Sequence, residues 1–196
     1  AKKVLQRQLS STLATVAQDV KIQVEFNPAT VKEYRLIGYE NRLLKQEDFN
    51  NDKVDAGDIG AGHNVTALYE IIPVGKTGWL NESRYQAPAA AKGNTQEYAF
   101  VNLRYKLPGE SKSILISQPV PASSKALSQA DANTRFALAV AAYGQALRGG
   151  EYNGKMGWND IISLAQNSAK PDPYGLREEF IELLKTAQSL STKEAK

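Results

Sequence analysis

Carboxylate side chains gather in one short stretch of the chain, between residues 47 and 58. They are Glu47, Asp48, Asp52, Asp55 and Asp58. Carboxylates on a tight turn are ligands that hard cations such as Ca²⁺ prefer. The EF-hand pattern fails, however, because counting from Asp48 puts Lys53 where Gly is needed and Ile59 where the last carboxylate is needed. We therefore predict no metal site. The four aspartates are the candidates that such a site would use, and the alternative is a solvated loop whose side chains form turns.

The four aspartates, together with Glu70 further along the chain, suggest a second chemistry. Glycoside hydrolases hold two carboxyl groups at a fixed separation across a cleft. Such a site would place several of these groups in one pocket and would raise the pKa of one of them. The sequence fixes neither condition. A carboxylate-dependent hydrolase or carbohydrate-active domain therefore stays an alternative to a non-enzymatic domain, which is our prediction.

His63 is the only histidine, and the chain has no cysteine. One histidine without cysteine cannot build a zinc site of the usual kind, and thiol chemistry is excluded. A catalytic His63 would need a partner nucleophile, and no G-x-S-x-G motif accompanies it. The Gly60-x-Gly62 pair is not a dinucleotide fingerprint, because position 65 is Val and a predicted strand follows. We expect His63 to be a turn residue, and we predict no catalytic residue and no cofactor.

Aromatic residues near the predicted helices are the remaining binding candidates beside His63. They are Tyr152, Trp158 and Tyr174. Such residues are typical of a core, but they are also enriched at protein interfaces. Nucleic acid is not an expected partner, since Lys plus Arg is 24 against 21 for Asp plus Glu and the net charge is only +3. The expected partner is an unknown protein.

Alternating side chains predict a β region over residues 13–122. Val20 to Phe26 alternates strictly, with Val20, Ile22, Val24 and Phe26 on one side, and predicts a half-buried strand. A second strand is predicted over 31–40, and the Gly60–Pro73 stretch predicts a strand over 64–74 that is central in the sheet. Residues 98–107 and 112–120 predict a hairpin around Pro108 and Gly109. A long connection over 75–97 precedes this hairpin.

From residue 123 the hydrophobic period changes from 2 to 3.6, which predicts a helical region over 123–196 that packs on the β region. The first helix is predicted to start at a capping box formed by Ser128 and Asp131 and to end at Gly149 and Gly150. The second is predicted over 158–169. The apolar stripe of the third is predicted to be Leu176, Phe180, Leu183, Leu184, Ala187 and Leu190. Strands followed by helices predict an α+β fold: an antiparallel β-sandwich-like region followed by three helices.

Composition is that of a globular domain, with 42% hydrophobic and 23% charged residues in 196. No apolar run approaches the roughly 20 residues that a transmembrane helix needs. The first residues do not show a charged segment followed by an apolar run, which is the pattern typical of a secretion signal.

Several long stretches resemble one family. They are DVKIQVEFNP at 19–28, YRLIGYENR at 34–42, DAGDIGAGH at 55–63 and VTALYE at 65–70, with Arg135-Phe136-Ala137, Tyr143-Gly144, Leu147-Arg148-Gly149 and Trp158 further on. These are similar to the C-terminal region of bacterial von Willebrand factor A-domain proteins of the YfbK type. The resemblance covers nearly the whole chain.

The resemblance carries several expectations. It implies that residues 1–12 are the end of the last helix of a preceding A-domain, which is absent from this chain together with its metal-binding motif. It implies a lipoprotein of the periplasm or cell envelope. The function expected on this basis is a non-catalytic domain that supports protein–protein interaction next to the A-domain. A spacer that only holds the A-domain away from the membrane is a further alternative.

Overall fold

A computed structural model describes residues 14–38, 46–81 and 95–194. The predictions for residues 1–12, for the end of the second strand and for most of the 75–97 connection lie outside these ranges. The chain divides into two units, Ala1–Ser123 and Ser124–Lys196. Each unit is described by itself below.

Antiparallel strands form the first unit. In its described residues they are β1 (Thr15–Phe26), β2 (Val31–Ile37), β3 (Gly57–Gly60), β4 (Leu68–Pro73), β5 (Glu97–Lys106) and β6 (Ile114–Pro121). Four of them form a sheet in the order β3-β1-β5-β6, which we call the large sheet. The other two, β2 and β4, form the small sheet. The predicted hairpin is confirmed, since β5 pairs with β6 around a turn in which Gly109 has φ 86°.

The strand predicted over 64–74 is wrong in its length and in its central position. It begins only at Leu68 and pairs with β2 alone in the small sheet. The physical reason lies in β1, whose two edges are already paired with β3 and with β5, so that no edge of β1 is left for β4. The glycines ahead of it belong elsewhere, because Gly60 ends β3.

Burial in the middle of β1 is the reverse of what its alternation predicts. The side chains do alternate, but Lys21 is only 3% exposed whereas Ile22 is 47% exposed. The assumption that the apolar side of this strand is its buried side is therefore wrong at this point. The reason is that residues 46–58 cover the polar side, where Lys21 Nζ donates to the carbonyl oxygens of Asp48 and Asn51.

The second unit contains, among its described residues, the helices α1 (Ala132–Leu147), α2 (Trp158–Gln166) and α3 (Leu176–Glu194). Two sheets followed by these helices confirm the α+β class. The N-cap of α1 is Asp131, whose carboxylate accepts from the backbone N–H groups of Asn133 and Thr134, so the predicted Ser128 capping box is wrong. Ser128 instead lies in a short 3₁₀ turn. None of the described helices is long and apolar enough to cross a membrane.

Small and branched apolar residues form the core of the helical unit. Its fully or nearly buried members are Ala139, Ala142, Ile161, Ala165, Ala169, Ile181 and Leu184. The predicted stripe of α3 is correct for Leu184 but wrong for Leu176, Leu183 and Leu190, which are all more than half exposed. Alanines on α1 and α2 let these helices approach closely. The core is therefore narrow and leaves the flanking leucines outside it.

Candidate functional site

The loop of residues 46–58 lies on the polar side of the large sheet. Its anchor is Lys21, whose ammonium group donates to Asp48 O at 3.2 Å and also to Asn51 O. Phe49 is buried at 5% exposure, so the loop also contributes an apolar contact. A buried ammonium group must be hydrogen-bonded, because an unpaired one would cost several kcal/mol. The loop carbonyls therefore make the burial of Lys21 possible.

Two further cations on β5 complete the contact with the loop. Arg104 is the register partner of Lys21 and lies on the same side of the sheet. Its guanidinium group donates to Asn50 Oδ1 at 3.0 Å and lies over the ring of Phe49, 5.5 Å from the centroid. Lys106, two residues on, donates to Asp52 O and to Asp19 Oδ2, both at 2.6 Å. The loop therefore binds these three cations through backbone carbonyl and amide oxygens, and the ion pair of Lys106 is with Asp19 of β1.

The structure places the four candidate aspartates at different points of this contact. Asp48 lies in a 3₁₀ turn and binds Lys21 through its backbone oxygen. Asp52 accepts from Ser113 N at 3.3 Å, and Asp58 accepts from Asp19 N at 3.3 Å. Asp55 is exposed. Within the described ranges, no group of three or more His, Asp or Glu side chains is arranged to hold a metal ion.

The pKa values of two carboxyl groups here are shifted downward. The hydrogen bond from Lys106 holds the pKa of Asp19 below its ordinary value of 3.8. The hydrogen bonds from Ser113 lower the pKa of Asp52. A general acid needs a raised pKa. Asp52 is therefore suited to accept hydrogen bonds as an anion and not to donate a proton. Glu70 lies on β4, where it forms an ion pair with Arg35 of β2.

His63 lies at the exposed end of a turn. Its backbone N–H donates to Gly60 O at 3.1 Å, and Gly62 between them has φ 78°. A positive φ of this size is readily adopted by glycine. The backbone of His63 thus closes the turn that follows β3, as a turn residue would.

The three aromatic candidates occupy different environments in the helical unit. Trp158 is the first residue of α2 and packs edge-on against Tyr143 of α1, with ring centroids 6.1 Å apart. It belongs to the layer around the core. Tyr152 and Tyr174 lie in the loops before α2 and α3 and are exposed. Trp158 therefore has a packing role, whereas the two tyrosines are accessible.

The opposite side of the large sheet carries apolar residues from three adjacent strands. Residues that are paired in an antiparallel register lie on the same side of a sheet. The registers of β1, β5 and β6 therefore define one surface, which we call the apolar face. It consists of Ile22, Val24, Phe26, Ala99, Val101, Leu103, Tyr105, Ile114, Ile116, Gln118 and Val120.

Much of the apolar face is open. Ile114 is 40% exposed and Ile116 is 49% exposed, although Ala99 at the other end is buried. At that end the ring of Phe26 stacks on Tyr34 of the small sheet at 4.1 Å and meets Tyr69 edge-on at 5.3 Å. None of the described residues on the face is charged. Large contiguous apolar patches on soluble proteins are typical of interaction sites.

Sequence reasoning missed both halves of this arrangement. The alternation from Val20 to Phe26 predicts that Ile22 lies on the buried side of its strand, and it says nothing of Arg104 or Lys106. A signal was present, since basic residues on two strands accompany a loop of opposite charge. Only the pairing of β1 with β5 shows that these cations lie on one side and close together.

Comparison with known proteins identifies the family of the chain. The family model described as the C-terminal part of the uncharacterized protein YfbK matches residues 11–190. The chain belongs to this family. It is also 45% identical over 194 residues to the uncharacterized protein YfbK of Escherichia coli (strain K12). The expected resemblance is thereby confirmed. No solved structure matches the chain.

The family relationship covers different shares of the two proteins. The match includes 97% of this chain but only 33% of the Escherichia coli relative. The YfbK family model describes a C-terminal region. The match therefore leaves out a companion part of that relative, which is about twice as long as this region.

Proposed function

We propose that this region is a non-catalytic domain of a von Willebrand factor A-type envelope protein and that it supports protein–protein interaction. The observation that carries the proposal is the apolar face, which is uncharged and open at Ile22, Ile114 and Ile116. Binding is favoured by about 25 cal/mol for each Å² of apolar surface that a partner removes from water. An open apolar sheet surface is therefore suited to bind another protein layer.

The electrostatics of the loop also support a non-catalytic role. Asp19, Asp52 and Asp58 accept hydrogen bonds from residues of the sheet or its turns. These hydrogen bonds are those of a structural loop that covers the basic side of the sheet. A hydrolytic activity of the intact domain that is lost in Asp52→Asn but is kept in Ile116→Lys would contradict this part of the proposal.

A photo-crosslinking experiment tests the interaction. Ile116 and Leu115 are neighbours on β6 with 49% and 48% exposure, and they lie on opposite sides of the sheet. A photoreactive amino acid is placed at either position in a full-length family member that is expressed in its own bacterium. We expect protein crosslinks from position 116, within the chain or to another protein, and at least tenfold fewer from position 115. Equal crosslinking from both positions, or none from position 116, would contradict the proposal.

The cellular location is part of the same proposal. It rests on the resemblance to A-domain lipoproteins and on no feature of the sheet or the helices. Fractionation of the same bacterium is expected to recover the full-length protein with the envelope. Recovery in the cytosolic fraction alone would contradict the envelope location. It would not affect the proposed binding by the apolar face.

A further inference from the structure

We infer that the apolar face packs against the part of the same polypeptide that precedes this region in full-length members of the family. The inference rests on the proposed function, because it names the partner of the same surface. The layer that covers the face is then a neighbouring part of the chain with an apolar surface of its own.

The first argument comes from the layering of the large sheet. A sheet with one apolar side is stable when that side is covered by a second layer. The loop of residues 46–58 covers the middle of the other side, where Lys21 and Arg104 lie, and leaves Leu115 on β6 48% exposed. On the apolar face the small sheet meets Phe26 at one end, whereas Ile22, Ile114 and Ile116 are each at least 40% exposed. Most of the exposed apolar residues of β1, β5 and β6 therefore lie on the apolar face, which is the side that lacks a covering layer over most of its area.

The second argument concerns the permanence of the partner. Interfaces between proteins that associate and separate are mixed in polarity, whereas permanent interfaces resemble a domain core cut in half. The described residues of the apolar face are uncharged, and Gln118 is the polar side chain among them. A surface of this composition would promote aggregation if it were exposed for long periods. Its partner should therefore be present whenever the domain is present.

The third argument identifies that permanent partner. The Escherichia coli relative matches this chain over only 33% of its own length, and the family model is that of a C-terminal region. Most of that protein therefore precedes the matched region. A covalently connected segment has an effective concentration in the millimolar range, so it binds without depending on the level of a second molecule. The preceding polypeptide meets the requirement for permanence directly.

A labelling experiment with single cysteines tests the inference. The chain has no cysteine of its own, so one can be introduced at a chosen position. Ile116→Cys probes the apolar face, and Leu115→Cys is the matched control with nearly equal exposure on the opposite side. The reaction rate with a maleimide is measured in a full-length, otherwise cysteine-free family member and in this region alone. Circular dichroism first verifies that all variants are folded.

We expect the thiol of Ile116→Cys to react at least tenfold more slowly in the full-length protein than in the isolated region, at every protein concentration. The thiol of Leu115→Cys should react equally fast in both. Equal reaction rates for Ile116→Cys in the two proteins would overturn the inference. Protection that appears only after host-cell extract is added would also overturn it, but it would agree with the proposed function. Protection that rises with protein concentration and accompanies a dimer in sedimentation would assign the face to a second copy and would also overturn the inference.

Discussion

Lys21 shows how a cation is held inside the first unit. Its side chain is buried between the large sheet and the loop, and its ammonium group has two backbone oxygens as partners. Charged groups are seldom buried unless they are hydrogen-bonded. Lys21 therefore connects β1 to a loop that is 27 residues away in sequence.

Replacement of Lys21 tests whether this contact stabilises the first unit. Lys21→Met keeps the aliphatic stem but leaves Asp48 O and Asn51 O without this donor, which should cost about 1–3 kcal/mol. Ile22→Thr, at an exposed position, should cost about 0.5 kcal/mol. Urea denaturation followed by the fluorescence of Trp79, with Trp158 replaced by Phe in all proteins, measures both. A larger loss for Ile22→Thr than for Lys21→Met would mean that the apolar side of β1 is the buried one.

Asp19 should make the stability of the first unit depend on pH. Because Lys106 lowers its pKa below 3.8 in the folded state, the unfolded chain binds a proton more readily than the folded chain does. The stabilisation is therefore complete above the ordinary pKa and is lost as the pH falls from about 4 through the lower folded pKa. Asp19→Asn should reduce this loss. Asn is the suitable substitution, since residue 19 has φ 50° and Asn tolerates positive φ.

The measurement for Asp19 is the urea midpoint of the same Trp79 signal between about pH 5 and pH 2. Lys106→Gln should flatten the profile in the same way, because it removes the other member of the pair. Profiles of both variants that run parallel to that of the unaltered protein would show that the ion pair makes no pH-dependent contribution.

At the scale of elements, α3 depends on a cap that lies outside its own sequence range. The carboxylate of Asp172 accepts from the backbone N–H groups of Leu176, Arg177 and Glu178. Burial alone would raise the pKa of Asp172, but these donors lower it. They belong to the first turn of the helix, where N–H groups lack intrahelical partners. The helix therefore starts where it does because Asp172 precedes it.

Loss of this cap should destabilise the helical unit. Asp172→Ala is expected to cost about 1 kcal/mol, and Asp172→Asn less, because Asn keeps an acceptor oxygen. Glu182→Ala is the control within α3, since its ion pair with Lys185 is exposed and should contribute less than about 0.5 kcal/mol. Thermal unfolding followed by circular dichroism at 222 nm compares the three. If Glu182→Ala lowered the midpoint as much as Asp172→Ala, the cap would have no special role.

At the scale of the whole molecule, the chain divides into two units, and the helical unit has a buried cluster of its own. The buried cluster of the second unit contains only residues of α1, α2, α3 and the segment after α2. We therefore expect residues 124–196 to fold alone, with a helical spectrum and a cooperative thermal transition. Ile161→Ala, at a fully buried position, should abolish the transition, since such substitutions cost about 2–5 kcal/mol. Leu147→Ala, at an exposed position, should leave the thermal transition nearly unchanged. An unaltered fragment that shows no cooperative transition would contradict the expectation.

Prediction from the sequence succeeded where the signal is local. The hairpin of β5 and β6 follows from two alternating segments around Pro108 and Gly109, and the end of α1 follows from Gly149 and Gly150. It failed for the strand at 68–73, because the partner of a strand depends on which edges remain unpaired. It failed for Leu176 and Leu190 as well, because an apolar stripe does not say how wide the contacting layer is.

The candidate site divides in the same way. The spacing of the carboxylates excluded an EF-hand, and the absence of cysteine excluded thiol chemistry. The placement of the loop on Lys21 and Arg104 joins residues that are far apart in the chain, and no local pattern encodes it. The exposure of Ile116 could not be predicted either, since alternation defines two sides of a strand without saying which one is covered.

The sequence by itself determined the α+β order of elements, the alternation along each strand and the family to which the chain belongs. These are properties of neighbouring residues and of long matching stretches. Only the tertiary structure decided that an acidic loop covers the basic side of the large sheet and that the apolar side stays open. The reason is physical: burial depends on which layers meet, and that is settled by pairing between segments that are distant in the chain.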